Sequence, residues 1–155
     1  MSPTNKNKKS PFIVSKEAII KVITESEIYP EIGKFIKQQS KIQWLLASLI
    51  FYRLAPESNR YEWILKNKNL LKNIASSTTG HLLEIYTPYS ENEKIFLKKL
   101  KEYNKLRNEL IHKFFPLKEE TLNFKKEKEY INQTIKIGEE IEKMLLNQLK
   151  KEKLL

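Results

Sequence analysis

The sequence has no cysteine, only two histidines and only three glycines. The absence of cysteine excludes disulfides and thiolate zinc sites, and two isolated histidines do not make a histidine-rich metal site. Runs in which β-branched and polar residues alternate are also missing, so strands have little support. The longest apolar run, residues 44–52, is far below the roughly 20 residues that span a bilayer. We therefore expect a soluble all-α protein without a metal, a cofactor or a membrane partner.

Positive charge dominates what the sequence does contain. Lysine and arginine number 29 against 19 aspartates and glutamates, a formal net charge of +10. This balance favours polyanions such as nucleic acid or an anionic membrane, although Lys, Asn and Ile are also abundant together in proteins from AT-rich genomes. The N-terminal stretch MSPTNKNKKSPF is basic but lacks the apolar segment of a signal peptide, which favours a cytoplasmic location.

Helical periodicity organises most of the chain. We expect a flexible basic tail over residues 1–12 and a single helical domain over residues 13–155. Predicted helices cover residues 16–25, 30–54, 59–74, 79–86, 91–115 and about 119–152. The signals that set these limits include Pro30 in a first turn, the capping box of Ser90 and Glu93, and Pro116 as a stop. The pattern predicts an antiparallel four-helix bundle with a short extra helix and an N-terminal helix.

Three of these helices have a clear apolar face. The expected core residues are Phe35, Ile42, Leu45, Leu46, Leu49 and Tyr52; then Trp63, Ile64, Leu70, Leu71 and Ile74; then Ile131, Ile135, Ile141, Leu145 and Leu149.

The helix predicted over residues 91–115 carries an arginine within its apolar row. On an ideal helical wheel this row consists of Phe96, Leu100, Tyr103, Arg107, Leu110 and Phe114. Burying an unpaired guanidinium is costly, so Arg107 needs a carboxylate, a backbone carbonyl or an anion. A structural ion pair at the edge of the bundle is the simplest arrangement. His112 instead continues a row of lysines, roughly 140° away from Arg107 on the wheel.

The string RNELIH, which contains Arg107, Asn108 and His112, resembles the motif of the HEPN superfamily. That motif is an arginine, commonly followed by a polar residue, and a histidine after four to six intervening residues. The string stands near the end of a helix in an all-α domain of suitable size. The preceding SSTTGHLLEIY and the flanking LRNELIHKFF also resemble the usual setting of this motif.

The resemblance implies a metal-independent endoribonuclease that acts as a homodimer, with both motifs lining one cleft. Histidine titrates near neutrality, so His112 would serve as general acid or base towards the RNA 2′-OH. Arg107 would stabilise the charge on the phosphate oxygens, and Asn108 would orient His112 or contact the phosphate. Toxin or phage-defence roles, with an antitoxin or regulatory protein as partner, are common in such proteins. The alternative is a catalytically silent HEPN-like module that binds RNA, a nucleotide or a partner protein.

The wheel also predicts two surfaces on this helix. For the homodimer that the resemblance implies, the expected interface is the face between Arg107 and His112, which includes Asn104, Asn108, Ile111 and Phe115. The expected RNA-binding row consists of Lys94, Lys98, Lys101 and Lys105. The other histidine, His81, has no partner histidine and is expected to be a surface residue of the short helix.

Overall fold

The computed structural model describes the backbone of residues 16–114 and 124–153 and the side chains of residues 30–112 and 126–153. Every regular element in these residues is a helix, which confirms the all-α prediction. The tail predicted over residues 1–12, the interface residue Phe115 and the stop signal Pro116 lie outside the described residues. None of the described helices is both long enough and apolar enough to cross a membrane.

The helices follow one another along the chain as follows. They are α1 (Lys16–Leu54), α2 (Arg60–Lys66), α3 (Lys68–Ala75), α4 (Thr79–Ile85), α5 (Glu91–Glu109) and α6 (Phe124–Lys151). A single π turn, Leu110–Phe114, continues directly from α5.

The first predicted boundary is wrong, because α1 is one continuous helix with Pro30 inside it. We predicted one helix ending near residue 25 and another beginning at Pro30. Proline removes one backbone hydrogen bond and crowds the preceding turn, but it does not by itself end a helix. The residues before it, SEIY, include no glycine or asparagine that could form a left-handed C-terminal cap.

The helix predicted over residues 59–74 is divided into α2 and α3 at Asn67. The Asn67 side chain donates from Nδ2 to the carbonyl of Trp63 at 2.8 Å, while its own carbonyl accepts from the N–H of Leu70 at 3.0 Å. An asparagine side chain competes in this way with the regular helical hydrogen bonds. On α3, Ile74 is buried, whereas the predicted core residue Leu70 is exposed.

Side-chain caps begin the next two helices. The Thr78 hydroxyl accepts from the N–H of His81 at 3.2 Å, and the Ser90 hydroxyl accepts from the N–H of Glu93 at 3.3 Å. The Glu93 carboxylate reaches back to accept from the N–H of Tyr89 at 3.0 Å. The capping box at Ser90 is therefore confirmed, except that its carboxylate binds the residue before the cap.

The predicted core is largely confirmed. Phe35, Ile42, Leu46 and Leu49 of α1 are fully buried, whereas Leu45 and Tyr52 are only partly buried. All of the residues predicted to face inward from α6 are buried, namely Ile131, Ile135, Ile141, Leu145 and Leu149. The apolar period thus locates the buried faces of the long helices.

Helix α6 packs against both α1 and α5 to form the main packing unit, and its contact with α1 is the most extensive. Arg53 near the end of α1 meets Glu93 in the first turn of α5, while Gln38 meets Tyr103, so these two helices are antiparallel. Gln38 also contacts Ile135, and Arg53 contacts Glu152, so α1 and α6 are parallel. Both α1 and α6 are therefore antiparallel to α5. Helix α1 is thus antiparallel to α5 and parallel to α6, and the antiparallel four-helix bundle stays a prediction.

Candidate functional site

Arg107 of α5 is half-buried, and two neutral amides bind its guanidinium. Its Nη1 donates to Asn108 Oδ1 at 3.0 Å. The side-chain amide of Gln39 on α1 lies 2.9 Å from Arg107 Nη2 and 2.5 Å from Nε, and because both of these nitrogens are donors we assign the amide oxygen, as acceptor, to this side. Within the described residues, Arg107 forms no ion pair with a carboxylate. The structural ion pair considered from the sequence is therefore absent from this part of the chain.

The residue before Gln39 fixes the position of α1 against its neighbours. Gln38 Nε2 donates to the carbonyl of Ile135 at 2.8 Å, and Gln38 Oε1 accepts from the hydroxyl of Tyr103 at 3.2 Å. Tyr103 is one turn before Arg107 on α5. Burial raises the pKa of the Tyr103 hydroxyl, although the nearby charge of Arg107 acts in the opposite direction. Gln38 and Gln39 thus join α1 to two successive turns of α5.

Gly138 of α6 makes the position of Gln38 attainable. A Cβ built on Gly138 would meet the Gln38 side chain at 2.1 Å, far inside van der Waals contact. A larger residue at this position would require the end of the Gln38 side chain to shift and its hydrogen bonds to Ile135 and Tyr103 to change. The close approach also lets Gln38 satisfy the Ile135 carbonyl.

His112 is exposed and lies in the π turn that follows α5. It borders an open depression of about 380 Å³, which is also lined by Lys101, Asn104, Lys105, Asn108 and Glu109. All of the lining residues belong to α5 and its π turn, so within the described residues this depression has a single wall. Two lysines give it positive character, and a histidine at one end offers a group that can exchange protons.

Asn108 connects the two charged members of the motif. Its side chain accepts from Arg107 and also lines the depression beside His112. Arg107 itself is not among the lining residues, and no hydrogen bond joins it to His112. Within one chain, therefore, Asn108 and His112 line the same depression, and Arg107 is connected to it through its hydrogen bond to Asn108.

The π turn changes the geometry assumed for the predicted interface. Hydrogen bonds in a π turn span five residues, so the angle of an ideal α-helix no longer applies between Arg107 and His112. Asn104, Asn108 and Ile111 of the predicted interface are half-buried within the chain. Single π turns are rare and occur frequently at functional sites, and this one contains His112.

The four lysines of the predicted RNA-binding row are all exposed on α5. Lys94 pairs with Glu91 at 2.8 Å on the surface, which offsets part of its charge. Lys101 and Lys105 lie beside the His112 depression and form no ion pair within the described residues. The half of the row nearest to His112 is consequently the more available to an anion. His81, as predicted, is exposed on α4.

A second polar cluster surrounds Arg53, which the sequence did not single out. Its Nε and Nη2 donate to the two carboxylate oxygens of Glu152 at 2.9 Å each, and Nη1 donates to the Thr87 carbonyl at 3.1 Å. Nη2 also contacts Glu93 Oε1 at 2.5 Å, and Tyr86 donates to the same oxygen at 2.6 Å. Each nitrogen of this guanidinium has an acceptor, so the cluster is a closed structural network.

The Arg53 network differs from the Arg107 site in its charge balance. The side chains of Arg53 and Glu93 are 7% and 4% exposed, and the cation is neutralised by two carboxylates. Arg107 has only amides around it in the described structure. Of these two arginines, only Arg107 lacks a carboxylate partner within the described residues.

Comparison with protein-family models, with curated proteins and with solved structures gave no significant match for this chain. The relation to the HEPN superfamily stays a prediction that depends on the motif and its setting.

Proposed function

We propose that this chain is a HEPN-type endoribonuclease that cleaves RNA without a metal ion. In this proposal α1, α3, α5 and α6 are the four main helices of the domain. Arg107, Asn108 and His112 are its catalytic residues. The chemistry is attack of the RNA 2′-OH on the adjacent phosphate, which leaves a 2′,3′-cyclic phosphate and a 5′-OH end.

The observation that carries the proposal is the charge state of Arg107. Within the described residues, neutral amides hold this half-buried guanidinium and no carboxylate compensates its charge. Partial burial of a cation is unfavourable for stability when no counter-ion offsets it, which is the situation of Arg107 within the described residues. An RNA phosphate is an anion that would complete this site. The proposal accounts for an arginine in the apolar row of α5.

His112 has the exposure that a general acid or base needs. The 2′-OH must lose a proton and the leaving 5′ oxygen must gain one, and imidazole performs both transfers near neutral pH. Asn108 lies between Arg107 and the depression that His112 borders, so it can contact a phosphate or orient the imidazole ring. The positive charge of Arg107 would stabilise the negative charge that accumulates on the phosphate oxygens.

A homodimer would complete the site. In one chain Arg107 is separated from the His112 depression by Asn108, and the depression has a single wall in the described structure. A symmetric contact across Asn104, Asn108 and Ile111 would add a second wall and a second copy of each motif residue. The lysine row of α5 would bind the RNA backbone next to this cleft without reading sequence.

The catalytically silent binding module is the second candidate, and one observation favours it. Arg107 does not line the depression that His112 borders in one chain, so a phosphate bound to Arg107 of a monomer would not lie in that depression. Such a module would bind RNA through the same lysines but would not cleave it.

The chemistry can be tested with two matched oligonucleotides. An end-labelled RNA and the DNA of the same sequence are incubated with the protein in excess EDTA, and the product ends are identified. The proposal predicts cleavage of the RNA alone, with cyclic phosphate and 5′-OH ends. Binding of RNA without cleavage would favour the silent module, and cleavage of both strands or 5′-phosphate products would contradict the proposed chemistry.

A further inference from the structure

We infer that Gln39 of α1 is the positioning residue of the Arg107 site, and that its neutral amide keeps the Arg107 cation available for an RNA phosphate. This inference rests on the proposed function, because the phosphate is the ligand proposed for Arg107. It adds a residue outside the RNELIH motif, on a different helix, that orients the Arg107 guanidinium without neutralising its charge.

The hydrogen-bond geometry assigns this role to Gln39. Its amide oxygen accepts from Arg107 Nη2 at 2.9 Å and from Nε at 2.5 Å, which fixes one edge of the planar guanidinium. Nη1 donates to Asn108 Oδ1 at 3.0 Å on the other side. An arginine has five N–H donors, so these three contacts leave two donors for a ligand within the described structure. A fork held at one edge is well suited to bind two phosphate oxygens with the rest.

The absence of charge on the residue at position 39 matters for the Arg107 site. A glutamate there would have nearly the same shape, would reach the same nitrogens and would neutralise Arg107. The anion site would then be occupied from within the chain. Glutamine gives the same geometry without competing with the ligand for charge. The amide therefore orients the cation and leaves its attraction for phosphate intact.

The packing around Gln39 holds it in register with Arg107. The preceding Gln38 bonds both to Tyr103 on α5 and to the Ile135 carbonyl on α6, in the space that Gly138 leaves open. Gln38 and Gln39 thus meet α5 at Tyr103 and at Arg107, one turn apart. Because Gln38 fixes α1 against two helices, Gln39 reaches Arg107 from a rigid support rather than from a loop.

The test compares Gln39→Glu with Gln133→Glu, which introduces the same charge at an exposed position of α6. Binding of a labelled oligouridylate is measured across a range of salt concentrations, and thermal melting is measured at neutral pH. Gln39→Glu should bind at least tenfold more weakly than Gln133→Glu. Its plot of log K against log salt should be shallower by about 0.7, the value for one lost phosphate contact on a single strand.

Melting separates this role from a merely structural one. Because of the new ion pair, Gln39→Glu should melt at or above the melting temperature of Gln133→Glu. Its RNA affinity should therefore fall without a loss of stability. In an Arg107→Gln background the same substitution should no longer raise the melting temperature. A change in both properties in the same direction would indicate damage to the fold and would overturn the inference, as would unchanged RNA affinity.

Failure of the proposed function gives a different pattern. If the parent protein neither binds nor cleaves RNA, the ribonuclease and RNA-binding proposals fail together, and the phosphate role of Gln39 fails with them. If the parent binds RNA and Gln39→Glu binds equally well, only the role of Gln39 fails.

Discussion

Arg53 Nη2 lies 2.5 Å from Glu93 Oε1, which joins the last turn of α1 to the first turn of α5 in the interior of the protein. The same guanidinium binds Glu152 near the end of α6 and stacks on Tyr89, with 4.0 Å between Arg53 Cζ and the ring centroid. The Arg53 side chain therefore connects the ends of three helices. This network stabilises the end of the packing unit at which α5 begins.

Removal of Arg53 should be strongly destabilising. Arg53→Ala leaves Glu93 buried without its cation, which typically costs about 3–5 kcal/mol of unfolding free energy. The matched control is Lys99→Ala, which breaks the 2.6 Å ion pair with Glu140 on the surface and should cost less than about 1 kcal/mol. Urea unfolding of both variants checks the difference. Equal losses would mean that burial does not distinguish the two ion pairs.

The Glu93 carboxylate should make stability depend on acid pH. Burial acts to raise the Glu93 pKa, but hydrogen bonds from Tyr86 and Arg53 and the Arg53 charge lower it overall. The folded state therefore favours the ionised form. Its contribution is fully present above the unfolded-state pKa of about 4.3 and is lost as the pH falls through the lower folded-state pKa.

Unfolding measured between neutral and acid pH tests this dependence. Glu93→Gln should show a shallower loss of stability below about pH 4.3 than the parent, because it has no carboxylate to protonate. Glu62→Gln on the exposed surface of α2 is the control and should follow the parent. Superimposable slopes for the parent and Glu93→Gln would show that Glu93 does not contribute.

Two glycine substitutions should have opposite effects. Gly138→Ala places a methyl group where the Gln38 amide lies, so overpacking should destabilise the protein by about 1–3 kcal/mol. Gly33→Ala meets no atom within 4 Å on the exposed side of α1. It should stabilise the helix by up to about 1 kcal/mol, since alanine has the higher helix propensity. Chemical denaturation of the two variants checks the signs, and a stable Gly138→Ala would disprove the close packing against Gln38.

Reversal of two lysines beside the His112 depression should weaken RNA binding. The double variant Lys101→Glu/Lys105→Glu should lose about tenfold or more in affinity at low salt, to a similar extent for all sequences, because backbone contacts carry no sequence information. The control Lys66→Glu/Lys72→Glu makes the same change in net charge on α2 and α3 and should lose much less. A loss confined to one RNA sequence would instead indicate base readout by this row.

Periodicity in the sequence predicted the faces of the long helices but not their limits. The apolar row of α5 and the inward residues of α6 repeat over many turns, so the pattern specifies their burial. Pro30 was a misleading local signal, because the rest of α1 sustains the helix around it. The break at Asn67 coincides with a side-chain hydrogen bond to the Trp63 carbonyl, and such local bonds are not part of a helical pattern.

The sequence indicated the residues of the candidate site but not the distant residues that contact them. Arg107 was recognisable because a permanent charge interrupts an apolar row. Gln39 was not, because it is far away in the sequence and contacts Arg107 only after α1 and α5 pack. Arg53 appeared to be an ordinary basic residue at a helix end, and Glu93 appeared to be only part of a capping box. Long-range polar contacts of this kind have no periodic signature.

Cleavage by a single histidine variant tests the central claim most directly. Labelled RNA is incubated in excess EDTA with the parent, with His112→Ala, and with His81→Ala as the matched exposed-histidine control. Because His112 is exposed, its replacement should change the unfolding free energy by no more than about 0.5 kcal/mol. Loss of a general acid or base should nevertheless reduce cleavage by about 10² or more, while His81→Ala cleaves like the parent. Equal cleavage by His112→Ala and His81→Ala, or no EDTA-resistant cleavage by the parent, would contradict the ribonuclease proposal.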